Sequence, residues 1–296
     1  MITHELNGHR IEVSSPGRVY FPESGTTKEE LVDYYRKIAP VMLPHLRDRP
    51  IAMQRFPRGV DGESFFQKRF PKSFPRWIEH ADVVNTLGEN VQFVVVQDAA
   101  SLVYLANQGC ITLHAFLATR DDIRKPDRMT LDLDPSGTVT FDDVIFAAHQ
   151  TRDALEARGL STYLMVTGSK GLHVVVPIEP GPDVDDVRAF ARTIAEELVE
   201  AHPDRLTIEQ RKANRGDRIF LDYMRNGFAQ TAVAAYSVRA LPGAPVATPI
   251  DWEELGGRGI DPQKWNIKNV CRRLGQREDP WRGIEKNQRP LPIGGP

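Results

Sequence analysis

Two short segments hold most of the chemistry legible in this chain. Leu131-Asp132-Leu133-Asp134-Pro135 sets two carboxylates two residues apart in an apolar run, and Thr167-Gly168-Ser169-Lys170-Gly171-Leu172-His173 follows further along. Alternate residues of a strand project from one face, so Asp132 and Asp134 converge while Met129, Leu131 and Leu133 line the other side. Two like charges that close need a counter-ion, and a divalent cation is the simplest. Oxygen ligands without a paired His or Cys favour Mg²⁺ or Mn²⁺ over zinc. Taken alone, the same pair more often marks a solvated strand edge or a structural pair.

The second segment is a glycine-flanked turn between apolar strands. Its glycines let backbone approach a phosphate, and Ser169, Lys170 and His173 can donate to phosphate oxygens; a plain polar hairpin turn is the competing reading. It is not a P-loop, because the Gly-x-x-x-x-Gly-Lys spacing is missing and a strand follows. A third apolar stretch, Ile219-Phe220-Leu221, ends in Asp222, with Arg225 and Arg239 beyond it. Three carboxylates holding two metal ions, with basic groups around a triphosphate, are what in-line nucleotidyl transfer needs.

The elements that must position these groups can be outlined from pattern. A hairpin and loop fill residues 1–25, and a helix follows, opened by a Thr27/Glu30 capping box and ending before Pro44. A strand is expected at 50–56 and an exposed, Arg-rich loop at 55–72. The apolar run Val91–Val96 suits a strand buried on both faces. A short helix is expected at 99–107 and strands at 110–116 and 128–134. A helix at 141–158 precedes strands at 162–166 and 172–178, and a second helix spans 184–201. The tail has a strand at 218–222 and short helices at 251–256 and 266–274. Hairpin-like pairs mixed with helices argue for an α+β or mixed-sheet protein. One catalytic unit is expected over 1–296, with an N-terminal module at about 1–90 packed on a core at about 91–296.

With 296 residues and 41% apolar composition the chain can bury a substantial core. Its 38 basic and 40 acidic residues nearly cancel, so any polyanion site must be local. Arg18, Lys28, Arg55, Arg58, Lys68 and Arg69 are the candidate contributors. Cys110 and Cys271 lack the spacing of a zinc or disulfide framework, and the start lacks a secretory pattern. No apolar run reaches membrane-spanning length, and the expected location is the cytoplasm, with the nucleoid.

Asp132-x-Asp134, Gly-Ser-Lys-Gly-Leu-His around Ser169 and His173, and Asp222 in Leu-Asp-Tyr-Met-Arg-Asn together resemble the three motifs of the archaeo-eukaryotic primase superfamily. More closely, they resemble the polymerase domain of bacterial DNA ligase D, the end-joining repair enzyme. The likeness extends to Gly25-Thr26-Thr27-Lys28, Asp61-Gly62-Glu63-Ser64-Phe65-Phe66-Gln67-Lys68 and Pro242–Pro249. It implies a primase-polymerase core with a central mixed or antiparallel sheet flanked by helices.

The resemblance also implies roles. Asp132, Asp134 and Asp222 would hold two Mn²⁺ or Mg²⁺ ions. His114, Thr167, Ser169, Lys170, His173, Arg225 and Arg239 would hold an incoming NTP or dNTP; read unaided, His114 is an ordinary core or surface histidine. Arg18 and Lys28 would grip a downstream DNA 5′-phosphate, and Phe65, Phe66, Arg55 and Lys68 would contact DNA. A local hydrophobic cluster is the other reading of the two phenylalanines. The implied partners are DNA ends or gapped DNA, Ku, a DNA ligase and a second copy across a break. Phe116 stands where Trp is common, and neither the ligase's Lys-centred motif nor the phosphoesterase's histidine cluster is present. A stand-alone enzyme and a polymerase segment are both consistent with that.

Three functions follow. The leading one is a gap-filling and end-extending polymerase of double-strand-break repair. The others are a primase-polymerase of replication or a mobile element, and a non-catalytic module that bridges DNA ends.

Overall fold

A computed structural model describes residues 1–257 and 259–293. Its contacts group into two compact units. The first comprises Met1–Asp121, Val233–Ala247 and Trp265–Arg277; the second comprises Asp122–Ala232, Thr248–Lys264 and the chain from Glu278.

In the first unit, β1 (Ile2–Leu6) and β2 (His9–Val13) form a hairpin whose turn residues Asn7 and Gly8 have positive φ. Next, β3 (Val19–Phe21) pairs with β4 (Thr26–Thr27), and α1 (Lys28–Leu46) starts from the expected capping box at Thr27 and Glu30. The helix does not stop at Pro44: both Pro40 and Pro44 lie inside it. Ile38, Ala39, Met42 and Leu46 are buried along its second half, so tertiary packing offsets the hydrogen bonds the prolines forfeit.

The unit's sheet is built on β5 (Pro50–Arg55). β6 (Phe65–Gln67) and β8 (Asn90–Val95) pair with it, β7 (Glu79–Val84) pairs with β8, and α2 (Ala99–Asn107) leads to β9 (Cys110–Phe116), which also pairs with β5. Three expectations change here. The 55–72 loop contains β6, and β8 exposes Gln92, so the Val91–Val96 run is not buried throughout. The first boundary falls after Asp121 rather than near residue 90, because β8 and β9 complete the sheet begun by β5. Two later segments return to this unit, and buried tyrosines of α1 tie the first of them: Tyr34 donates to the Tyr236 carbonyl at 2.7 Å, and Tyr35 accepts from Val238 N–H while donating to the Ile111 carbonyl at 2.6 Å.

The second unit begins with β10 (Arg128–Pro135), α3 (Phe141–Glu156), β11 (Tyr163–Val166), β12 (Leu172–Pro177) and α4 (Val184–Ala201). β13 (Leu206–Thr207) and β14 (Ile219–Asp222) follow, and β15 (Thr231–Val233) carries the chain back to the first unit. β16 (Thr248–Ile250) and α5 (Trp252–Leu255) belong to the second unit, α6 (Val270–Leu274) to the first. The six strands run in the order β13-β14-β10-β12-β11-β16, antiparallel except β13 with β14. α3 and α4 pack on one another and on β10. Their buried stripes, Val144, Ala147, Ala148 and Leu155 on α3 and Val187, Ala191, Ile194 and Leu198 on α4, supply the apolar cover a sheet face requires.

Candidate active site

The register of three strands brings the site together. β10 lies between β12 and β14, and Asp132 stands directly opposite His173 on one side and Asp222 on the other. Opposed residues of an antiparallel pair share a face, so Asp132, His173 and Asp222 project together, with Asp134 one pleat further along. Leu131 and Leu133, on the other face, are fully buried, which fixes the orientation: a one-residue slip would bury the carboxylates in the apolar layer.

Asp132 is 6% exposed. Its Oδ2 lies 3.2 Å from Arg225 Nε, and its Oδ1 lies 3.4 Å from His173 Nε2. The same Arg225 Nε is 3.2 Å from Asp222 Oδ2, while Asp222 Oδ1 accepts from the Met224 backbone N–H at 2.9 Å. Burial works to raise the Asp132 pKa, but His173 and Arg225 outweigh it and hold the carboxyl below its ordinary value. Asp134 behaves oppositely: burial, and then the charge of Asp132, push it up to about 6. Asp222 is also raised, by burial foremost and against the pull of Arg225.

Arg225 stands on the short 3₁₀ turn Met224–Asn226, whose anchor is Asn226, a residue absent from the sequence expectations. Asn226 is buried; it donates to the Thr130 carbonyl at 2.7 Å and the Tyr223 carbonyl at 2.8 Å, and accepts from Thr130 N–H at 2.8 Å. It thereby serves β10 where β14 no longer pairs, two residues before Asp132. The signal available in the sequence was an Asn ending the same Asp-Tyr-Met-Arg-Asn stretch.

The Thr167–His173 turn is stitched by its own first residue. Thr167 Oγ1 donates to the Gly171 carbonyl at 3.0 Å and accepts from Gly171 N–H at 3.3 Å, so this hydroxyl serves the turn. Gly168 takes a positive φ of 66°. Gly171 is required for a different reason: a Cβ there would run into the Leu133 carbonyl oxygen, between the two aspartates of β10. The Ser169 carbonyl accepts from Gln263 at 3.0 Å, and the Lys170 side chain is exposed.

Among the described residues, no three His, Cys, Asp or Glu side chains form a preassembled metal-ligand cluster. The guanidinium of Arg225 bridges Asp132 and Asp222 instead. The acceptors a hard cation needs are nonetheless there. Asp132 Oδ1 is buried without a hydrogen-bond partner, and among the described residues the Asp134 carboxylate has neither a hydrogen bond nor an ion pair. An all-oxygen set of this kind fits Mg²⁺ or Mn²⁺.

The remaining expected residues belong to the first unit. Lys28 is buried at the start of α1, donating to Ser14 O at 2.9 Å and Ser14 Oγ at 3.1 Å. Burial, and then the neighbouring Arg18 charge, lower it to about 8. Arg18 donates to the Pro57 carbonyl at 3.2 Å, and neither cation meets a carboxylate among the described residues. The two cations together leave a local excess of positive charge.

Phe65 and Phe66 on β6 are 46% and 57% exposed, and the Phe66 ring lies 5.3 Å from that of His114. Arg55, expected to touch DNA, is committed within the fold. It donates to the Gln108 carbonyl at 2.8 and 3.0 Å and to Gln67 at 2.6 Å, and sits 5.4 Å from the Phe65 ring centroid. Lys68 is exposed, and the Arg239 backbone N–H donates to the Pro245 carbonyl at 2.7 Å. Among the described residues no helix is long and apolar enough to cross a membrane.

A family model described as the primase-polymerase domain of LigD matches residues 27–281. The multifunctional non-homologous end joining protein LigD of Mycolicibacterium smegmatis is 34% identical over 248 residues, covering 83% of this chain and 32% of that protein. Its counterpart in Pseudomonas aeruginosa is 33% identical over 274 residues, covering 92% of this chain and 32% of that protein. The chain thus spans about a third of the length of these relatives. Among solved structures, the polymerase domain of Mycobacterium tuberculosis ligase D in complex with DNA superposes with a TM-score of 0.88 at 28% identity, covering 94% of this chain and 99% of that one.

Proposed function

Because the chain belongs to the LigD primase-polymerase domain family, we propose that it is a template-directed nucleotidyltransferase that fills gaps and extends ends at DNA double-strand breaks. The observation that carries this reading is the register of β10: Asp132 flanked by His173 and Asp222, Asp134 beside them, and acceptor oxygens left unspent.

Asp132, Asp134 and Asp222 would hold Mg²⁺ or Mn²⁺, two ions in the full complex, which when bound would lower the pKa of a primer 3′-hydroxyl and neutralise the pyrophosphate leaving group. The primer oxygen forms a bond to the α-phosphorus as the bond to pyrophosphate breaks. Ser169, Lys170 and His173, with His114, Arg225 and Arg239, are the groups assigned to the NTP or dNTP. Thr167 acts by holding the turn. Phe65 and Phe66 offer faces on which bases can stack, worth about 1–3 kcal/mol per base, with Lys68 as a charged neighbour.

The Arg18/Lys28 pocket favours repair over priming, since a priming enzyme has no use for a downstream 5′-phosphate. A purely bridging role has no use for the three carboxylates that β10 and β14 bring together. The relatives' names place them in end joining, so Ku, a ligase activity and pairing of two copies across a break are the partners to look for, in the nucleoid.

The test is primer extension on gapped DNA with and without the 5′-phosphate, crossed with Mn²⁺, Mg²⁺, ribonucleotides and deoxyribonucleotides. Metal-dependent incorporation, stimulated by the phosphate and lost in Asp132→Ala and Asp134→Ala with folding intact, is expected. Full activity in both variants would overturn the assignment.

A further inference from the structure

We propose that Arg225 is the resident counter-cation of the carboxylate cluster: it occupies the place of a divalent ion while the site is metal-free, and leaves when the ion binds. This rests on the metal reading above and concerns how the site is kept ready for it.

Asp132 and Asp222 face each other across the β10/β14 ladder, an arrangement in which like charges repel. A single N–H group, Arg225 Nε, lies 3.2 Å from an oxygen of each. That is how a cation sits between two anions, and it differs from the two-nitrogen pairing that Arg124 and Arg120 make in this same protein. Arg124 engages Asp183 with two nitrogens on two oxygens, at 2.8 and 2.7 Å. Arg120 bridges two carboxylates with separate terminal nitrogens, one 2.6 Å from Glu79 and the other 3.0 Å from Asp48. The planar fork favours such paired geometry. Arg225 does not use its fork: its two terminal nitrogens have no hydrogen-bond partner among the described residues.

The side chain is also placed to move. It is 38% exposed, whereas its Asp132 partner is buried. The backbone beneath it is not free, because Asn226 ties the turn to Thr130 and Tyr223. Rotation of the Arg225 side chain therefore suffices, with no shift of the turn. The oxygens it would release are Asp132 Oδ2 and Asp222 Oδ2, beside Asp132 Oδ1, which makes no hydrogen bond though His173 Nε2 lies 3.4 Å away, and the open Asp134 carboxylate. Once released, its unengaged terminal nitrogens are the groups suited to phosphate oxygens.

The experiment follows the Arg225 Nε–Hε resonance in ¹⁵N-labelled protein, assigned by its absence in Arg225→Lys and Arg225→Gln, during titration with Mg²⁺ alone and with Mg²⁺ plus a non-hydrolysable deoxynucleoside triphosphate. A resonance that is present in metal-free protein and shifts or exchanges away on Mg²⁺ addition is expected. In parallel, free Mn²⁺ is counted by electron paramagnetic resonance. Arg225→Gln should bind Mn²⁺ more tightly than the parent, on the order of tenfold, because no resident cation must be displaced. A resonance unmoved at saturating Mg²⁺, or equal or weaker Mn²⁺ binding by Arg225→Gln, overturns the inference while leaving the metal reading intact. Failure of the parent protein to bind Mn²⁺ even with the triphosphate overturns the metal reading itself. The resonance experiment uses unmutated protein for its readout, so a poorly folding Arg225→Gln does not remove the test.

Discussion

Asn226→Ala isolates what holds the turn that carries Arg225. In the parent protein the carboxamide makes three hydrogen bonds of 2.7–2.8 Å, two of them to the N–H and C=O of Thr130, and it is 2% exposed. Truncation leaves both Thr130 groups unpaired in the sheet interior. Each unsatisfied buried backbone group costs about 1–3 kcal/mol. Water reaching the space vacated by the carboxamide would recover part of that, so a loss of about 3 kcal/mol is expected. Urea unfolding measures it, with the slope m compared so that a change in stability is distinguished from loss of cooperativity across two units. Asn226→Asp sharpens the test. One carboxylate oxygen can still accept from Thr130 N–H, but the other faces the Thr130 and Tyr223 carbonyls with no proton to offer. It should therefore be at least as damaging at pH 7, and recover as the pH falls and the carboxyl gains a proton to donate. Nucleotide incorporation should drop in both variants beyond what the folded fraction explains. A stability loss below about 1 kcal/mol in Asn226→Ala would refute the claim that this side chain completes the β10 ladder.

The Asp134 carboxyl, pushed up to about 6 from an ordinary 3.8, binds its proton more tightly in the folded than in the unfolded protein. Its contribution is favourable below about pH 4 and is lost as pH rises through 6, so metal-free Asp134→Asn should be the more stable protein at pH 7, by at most about 3 kcal/mol, with the gain vanishing near pH 4; equal melting temperatures at pH 7 would refute this. For Lys28, lowered to about 8, the ammonium that would meet a 5′-phosphate disappears on the alkaline side. The preference of the protein for 5′-phosphorylated over 5′-hydroxyl gapped DNA, measured by fluorescence anisotropy, should shrink between pH 7 and 9 and be small throughout in Lys28→Met. A preference that is constant over that range, or insensitive to the substitution, would count against the pocket.

Features set by local pattern were legible beforehand. The period of two in Leu-Asp-Leu-Asp placed Asp132 and Asp134 on one face, the Thr27/Glu30 box opened α1, and α4 has the expected bounds of 184 and 201. What was missed depends on partners distant in the chain. Asn226 is 96 residues from Thr130, and nothing in its neighbours reveals that it will finish another strand's ladder. β15 and β16 are three-residue strands whose existence depends on the strands beside them. The passage of α1 through two prolines, and the return of 265–277 to the first unit, were decided by tertiary burial that no window of sequence contains. The partners of Arg55 show the same limit: Gln108 is 53 residues away, and the sequence around Arg55 does not reveal it.

The opposite behaviour of two carboxyls on one strand follows from how few cations the cluster contains. Asp132 has Arg225 at one oxygen and His173 at the other, and is held ionised despite deep burial. Asp134 has no such partner, and burial first, then the charge of Asp132, pushes it up to about 6. With all three carboxyls ionised and Arg225 displaced as proposed above, three negative charges would stand in a poorly solvated site, a cost that rises steeply as the local dielectric falls. One divalent cation would leave a single negative charge over. A second divalent cation would create an excess of positive charge, and that excess suits a polyanion such as a nucleoside triphosphate. The cluster's own charges therefore favour an order in which one ion can be held by protein alone and the other arrives with the nucleotide.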